Sequence, residues 1–258
     1  MPDPGRPKKK FGQHFLKDPN TARIVASGVT NDDVVLEIGP GRGFLTTFLA
    51  ERARLVHAVE LDRGVLPALR AAVCGHDNVL VHVGDALRFD YAGLEPAPNR
   101  MAANLPYNVA SPLVLMLLER VVELRTLRFM VQLEVARRMA ASRGTKDYAS
   151  YAVLVGMLAD AKILHKVPPT VFDPPPRVHS AVVEMVRKEP PADYGRVKGL
   201  VLGAFRSRRK RLVNNLPEPA RAEAPRFLAS LGHGPDARAE ELSAEDFVAL
   251  GRALSWAL

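Results

Sequence analysis

Four consecutive residues, Asn104-Leu105-Pro106-Tyr107, bring a carboxamide, a main-chain carbonyl followed by proline, and an aromatic ring into one short stretch. The exocyclic amine of adenine is a poor nucleophile, because its lone pair is delocalised into the ring. A site that accepts hydrogen bonds from both of its N–H groups favours a pyramidal nitrogen with a usable lone pair. The side-chain oxygen of Asn104 and the carbonyl of Leu105 have that capacity. Pro106 removes a competing donor and stiffens the turn. Tyr107 offers a face on which a base can stack. Such a run can also be a plain turn, so its place in the chain must decide.

A second group of residues precedes it. Gly39-x-Gly41-x-Gly43 lets the chain turn tightly and brings main-chain N–H groups to a ligand at a helix N-terminus. Phe44 stands where the dinucleotide-binding pattern wants Gly or Ala, which argues against a nicotinamide dehydrogenase. Glu60 comes 21 residues after Gly39, where a carboxylate accepts two hydrogen bonds from ribose hydroxyls. Asp62 reads as a helix N-cap. In Gly84-Asp85-Ala86 the carboxylate has two readings, a cap or an acceptor for the amino group of a bound adenine.

These residues need a frame that gathers them. Residues 34–38, 55–61, 79–83, 100–103 and 127–132 read as strands. Helical patterns lie between them at 44–53, 65–73 and 112–122, and Pro67 implies that the second of these starts late or kinks. A helix over 18–27 has Asp18 as N-cap and Pro19 at its first position. Strands alternating with helices imply a parallel, doubly wound α/β sheet. In such a sheet ligands collect at the carboxyl ends of the strands, where the glycine loop, Glu60, Asp85 and Asn104 all fall. Further along, helices are expected at 134–141 and 148–158, a strand at 162–167 and an antiparallel strand at 178–186. After Pro190-Pro191 the pattern is helical throughout, at 197–206, 208–214, 223–231 and 244–254. The expected domains are therefore 1–187 and 188–258.

The net charge of +8 is clustered, with Arg6, Lys8, Lys9 and Lys10 in one group and Arg206, Arg208, Arg209, Lys210 and Arg211 in another. Clustered cations favour a polyanionic partner, since neutralised phosphates release counterions. Arg208, Arg209 and Arg211 cannot share one helix face, so part of that run must pair elsewhere. The single cysteine, Cys74, builds no internal disulfide and no cysteine-rich zinc site. The histidines show no ligand spacing, so no metal is expected. No apolar stretch follows the basic N-terminus, and the apolar run 113–118 is too short to span a bilayer. A cytoplasmic protein is expected.

The chain resembles the small-subunit rRNA adenine dimethyltransferases over nearly its whole length. The resemblance is carried by Lys10-Phe11-Gly12-Gln13-His14-Phe15-Leu16, Glu37-Ile38-Gly39-Pro40-Gly41, Gly84-Asp85-Ala86 and Asn104-Leu105-Pro106-Tyr107-Asn108. It continues through Val131-Gln132-x-Glu134-Val135-Ala136, Phe172-x-Pro174-x-Pro176-x-Val178 and the basic segment from Phe205 through Leu216. It departs from the family pattern at Ala103, Leu133 and Tyr148-Ala149-Ser150-Tyr151-Ala152.

The resemblance implies a Rossmann-like class I S-adenosylmethionine-dependent methyltransferase fold. This has a seven-stranded, mostly parallel sheet and a small helical C-terminal domain that binds RNA. It implies S-adenosylmethionine as cofactor, touched by His14, Leu16, Gly39, Gly41, Glu60, Asp85, Ala86 and Asn104. Asn104, Leu105 and Tyr107 would act on the adenine, and Phe172 would cover the base face opposite Tyr107. Lys8, Lys9, Lys10, Arg208, Arg209, Lys210 and Arg211 would hold RNA. The implied substrate is a pair of adjacent adenines in the hairpin near the 3′ end of 16S rRNA in the 30S particle, and the chain is expected to act as a monomer. The rivals are a 23S rRNA adenine methyltransferase of the macrolide-resistance type and a non-catalytic ribosome assembly factor.

Overall fold

The computed structural model describes residues 7–8, 12–207 and 209–254. Lys9, Lys10 and Arg208 of the expected RNA contacts lie outside the described residues. The chain divides into two compact units, residues 1–136 with 161–187, and residues 137–160 with 188–258.

The first unit opens with β1 (Phe15–Leu16) and α1 (Pro19–Ala26). Helix α1 starts as the sequence dictates: Asp18 accepts the Thr21 N–H at 2.7 Å and Pro19 takes the first turn. There follow β2 (Val34–Ile38), α2 (Phe44–Ala50), β3 (Leu55–Glu60), α3 (Leu66–Ala72), β4 (Val79–Val83), β5 (Arg100–Asn104), α4 (Ala110–Arg120), β6 (Thr126–Gln132) and α5 (Leu133–Met139). After α6 (Ser150–Leu158) come β7 (Ala159–Val167), β8 (Phe172–Asp173) and β9 (Ser180–Arg187). Seven strands form one sheet in the order β4-β3-β2-β5-β6-β9-β7. β2 pairs in parallel with β3 and β5, β3 with β4, and β5 with β6, while β9 runs antiparallel to β6. All five residues of β2 are buried, as a central parallel strand covered on both faces requires.

One boundary differs from expectation, one follows it, and one pairing was not foreseen. Helix α2 ends at Ala50, because Asn78 Nδ2 donates to the carbonyls of Ala50 and Ala53, both at 2.9 Å, and closes the turn. Helix α3 starts late: Asp62 caps a short 3₁₀ turn at Arg63–Val65 by accepting the Gly64 N–H, and Pro67 then falls in the first turn of the α-helix. The two-stranded pairing of β1 with β8, Leu16 opposite Phe172, has no signal in the sequence.

The second unit holds α6, α7 (Tyr194–Ala204), α8 (Ala220–Ser230) and α9 (Ala244–Ala253). The stretch 137–160 therefore packs with the C-terminal helices and not, as the sequence suggested, with the first domain. Helix α6 is apolar nearly all round, and α7 and α9 cover it. Tyr148, one of the family departures, sits in this core. Its hydroxyl donates to the Leu242 carbonyl at 2.8 Å, and its ring meets Phe205, which in turn meets Phe247. Of the helix expected over 208–214, the described residues 209–214 form no α-helix. Asn215 Nδ2 donates to the carbonyls of Ala204 and Ser207, which ends the helical run, and only a 3₁₀ turn at Leu212–Asn215 follows. Arg211 pairs with Asp236 at 2.9 Å, while Arg209 and Lys210 are exposed.

Candidate active site

The carboxyl ends of β2, β3, β4 and β5 and the segment around β1 enclose a cavity of about 690 Å³. His14, Leu16, Gly39, Gly41, Glu60, Asp85, Ala86, Asn104, Leu105 and Tyr107 all line it. Gly41 has φ 59°, and a Cβ there would stand 2.8 Å from the Phe15 ring, so the loop has no room for a side chain.

Glu60 is almost fully buried. Its Oε2 accepts the Gly41 N–H at 3.0 Å and its Oε1 the Asp62 N–H at 2.7 Å. Burial raises its carboxyl above the usual range; these main-chain bonds work against that, and the Asp62 charge adds to it. The Leu61 N–H also bonds the carboxyl, which still keeps acceptor capacity to spare. Asp85 accepts the Leu87 N–H through Oδ1 at 3.0 Å, so it is a turn cap as well as a wall of the cavity.

Asn104 Nδ2 donates to the His14 carbonyl at 3.0 Å. That bond fixes the carboxamide with its oxygen as the remaining acceptor, and Oδ1 is buried without a partner. The Leu105 N–H donates to the Met130 carbonyl at 3.1 Å. The Tyr107 hydroxyl lies 2.6 Å from Ser180 Oγ, and its ring stacks on the His14 imidazole with centroids 5.4 Å apart and planes at 28°. His14 Nδ1 is 2.7 Å from the Pro174 carbonyl.

Two expected residues stand elsewhere. Phe172 does not line the cavity; it is 0% exposed, packed among Leu16, Val167 and Val182, and the ring on Tyr107 belongs to His14. Its burial follows from the β1–β8 pairing, which turns it into the core. Lys8, grouped with the RNA-facing cations, has its ammonium 2.6 Å from Asp62 Oδ1. Gln13 Nε2 donates to Asp62 Oδ2 at 3.0 Å, and Gln13 Oε1 accepts the Lys8 N–H. Burial alone would raise the Asp62 carboxyl, but Lys8, Gly64 and Gln13 together hold it below the usual range. This clasp ties the N-terminal segment to the loop after β3.

Sequence reasoning gave no role to Glu37, Lys17, Arg42 or Ser180. The first three line the cavity and Ser180 holds the Tyr107 hydroxyl. Glu37 had a signal, a charged residue inside an otherwise apolar strand run. Among the described residues, no group of three or more His, Cys, Asp or Glu side chains could hold a metal ion, and no helix is long and apolar enough to cross a membrane.

The family profile described as "Ribosomal RNA adenine dimethylase" matches residues 5–254. The chain belongs to this family. It is an S-adenosylmethionine-dependent rRNA methyltransferase. It is 68% identical to the "Ribosomal RNA small subunit methyltransferase A" of Rubrobacter xylanophilus, over 97% of this chain and 96% of that one. It is 40% identical to the protein of the same name from Alcanivorax borkumensis, over 95% of this chain and 89% of that one. The fold matches the crystal structure of a dimethyladenosine transferase from Plasmodium falciparum with a TM-score of 0.82 at 24% identity, covering 94% of this chain and 98% of that one. It matches the 23S rRNA methyltransferase ErmE with a TM-score of 0.75 at 28% identity, covering 93% and 99%. The cavity fits the family's cofactor: the glycine loop excludes side chains, carboxylates end β3 and follow β4, and two buried oxygens on the wall, Asn104 Oδ1 and Glu37 Oε2, have no protein partner.

Proposed function

We propose that this methyltransferase modifies N6 of two adjacent adenines in the hairpin near the 3′ end of 16S rRNA, in the 30S particle, during ribosome biogenesis in the cytoplasm, and that it acts as a monomer. The observation that carries the chemistry is the buried, unpartnered Oδ1 of Asn104 at the cavity wall. The likeness to small-subunit enzymes at 68% identity, against 28% to a 23S enzyme, supports the substrate.

Glu60 would hold the ribose hydroxyls and Asp85 the adenine amino group of the cofactor, with the backbone of Gly39 and Gly41, and His14, Leu16 and Ala86, forming the rest of the wall. When bound, S-adenosylmethionine supplies an electrophilic methyl on a sulfonium. Asn104 Oδ1 and the Leu105 carbonyl accept the two N6 hydrogens of a base turned out of its hairpin. N6, made pyramidal, would present its lone pair to that methyl. The resulting aminium is acidic and loses its proton to solvent, so a neutral amide suffices where a strong base would otherwise be needed. Tyr107, anchored by Ser180, gives the base a stacking face, a contribution of about 1–3 kcal/mol. Positioning supplies the main part of the rate, roughly 7–11 kcal/mol in favourable cases. Arg209 and Lys210 would meet phosphates.

The test is methyl transfer from labelled S-adenosylmethionine to 30S particles and, separately, to 23S rRNA, with the modified nucleotides mapped. Label is expected in N6,N6-dimethyladenine near the 3′ end of 16S rRNA. Label in 23S rRNA would overturn the substrate. No label in either, with tight 30S binding, would leave an assembly factor.

A further inference from the structure

Glu37 is the fourth of the five residues of β2, the other four being apolar, and it lines the cavity. It is 1% exposed and its Oε2 has no hydrogen-bond partner. Burial pushes its carboxyl up to about 8; the Thr46 hydroxyl works against this and the charge of Glu60 adds to it. Thr46 Oγ1 makes no hydrogen bond of ordinary geometry. Two cations, Lys17 and Arg42, border the same cavity, and neither contributes to the balance at Glu37. Arg42 is turned to Asp173 and the Phe15 ring. Asp85 and Asp173, the other carboxylates on the wall, bring negative charge. A buried carboxyl in this position must either keep its proton or receive a cation from outside the protein.

The two forms of the cofactor differ in just this respect. S-adenosylmethionine carries a sulfonium, an ammonium and a carboxylate. S-adenosylhomocysteine, left after methyl transfer, keeps only the last two and has no net charge. We propose that Glu37 senses the charge of the bound cofactor, releasing its proton when the cationic donor enters the cavity and holding a proton when the neutral product occupies it. Binding that releases a proton tightens as pH rises, up to the pKa of the empty site, and binding without release does not. Below about pH 8, rising pH therefore favours donor over product by up to about tenfold per unit. Glu37 is a residue of donor specificity and product release, distinct from the groups that touch the adenine.

The inference rests on the cofactor and not on which RNA is methylated. It is tested by calorimetric titration of S-adenosylmethionine and S-adenosylhomocysteine into the full chain near neutral pH, in buffers of different ionisation heat, with the native protein and Glu37→Gln. The native protein is expected to release close to one proton more with the donor than with the product. Glu37→Gln is expected to lose that difference together with the pH dependence of the donor-to-product affinity ratio. Equal proton release for the two cofactors in the native protein, or an unchanged difference in Glu37→Gln, would overturn it. Should the variant fail to fold by thermal melting, infrared difference spectra of the native protein decide. A protonated-carboxyl band that disappears with the donor and persists with the product supports the inference, and a band that ignores the donor sinks it. Failure of both cofactors to bind would count against the methyltransferase reading instead.

Discussion

Asn104 is oriented by the bond that it donates to the His14 carbonyl, and this leaves its oxygen to whatever enters the cavity. Asn104→Ala removes both the orientation and the acceptor. Loss of one pre-aimed hydrogen-bonding group costs about 10²–10³ in kcat in comparable sites, and that loss is expected here. Cofactor affinity should be reduced but measurable, as single-turnover kinetics and a binding titration would report separately. Methylation near the normal rate would refute activation by hydrogen bonding. That Asn104, Glu60 and Asp85 would gather at one cavity was legible in the sequence, because each sits where a strand ends and a loop begins. Phe172 and Lys8 were not. Whether an aromatic ring faces a cavity or the core, and whether a lysine meets solvent or a carboxylate, depends on partners far away in the chain. For these two the partners are Leu16 and Asp62.

At the level of the element, the last residue of β9 ends another element. The Arg187 guanidinium donates to the carbonyls of Leu124, Leu118, Val121 and Leu117 at 2.6, 2.7, 2.8 and 3.3 Å. The carbonyls of Leu117 and Val121 also accept the Val121 and Leu124 N–H groups, so Arg187 matters most to Leu118, in the last turn of α4, and to Leu124 just beyond it. These residues are all buried. Arg187→Ala should therefore destabilise the protein by about 2–4 kcal/mol, since each orphaned buried acceptor costs about 1–3 kcal/mol and water recovers part of it. Arg187→Lys should restore only a fraction, because an ammonium lacks the guanidinium fork. Chemical denaturation of both variants checks this, and a change within about 0.5 kcal/mol, what a neutral surface substitution gives, would refute it. The parallel strands and the helices between them were legible from periodicity alone. The helix expected over 208–214 failed because a side chain outside it, Asn215, takes the carbonyls that would have carried it forward. The assignment of 137–160 failed because periodicity shows that α6 is apolar without showing which helices cover it.

At the level of the whole molecule, the surplus of cations has been divided by folding. Lys8 is turned to the buried Asp62 and Arg211 pairs with Asp236 at the surface, while Arg209 and Lys210 are exposed. Replacing Arg209 and Lys210 together with Ala should weaken RNA binding. It should also flatten its dependence on the logarithm of salt concentration by about 0.7–0.9 for each phosphate no longer neutralised. Filter binding across a salt series measures this, and an unchanged slope would remove the segment from the interface. The pairing of β1 with β8 has a consequence for how such a molecule is made. A chain emerging during synthesis carries the glycine loop, Glu60, Asp85 and Asn104 well before residue 172 exists. Until then Leu16 lacks its partner strand, and His14 lacks the Pro174 carbonyl that holds its ring beside Tyr107. Closing so long a loop comes late, because its entropy must be overcome before the new pairing offsets it. The N-terminal wall of the cavity is thus the first part translated and the last part set in place, so a nascent chain holds most of the site's residues and no finished site.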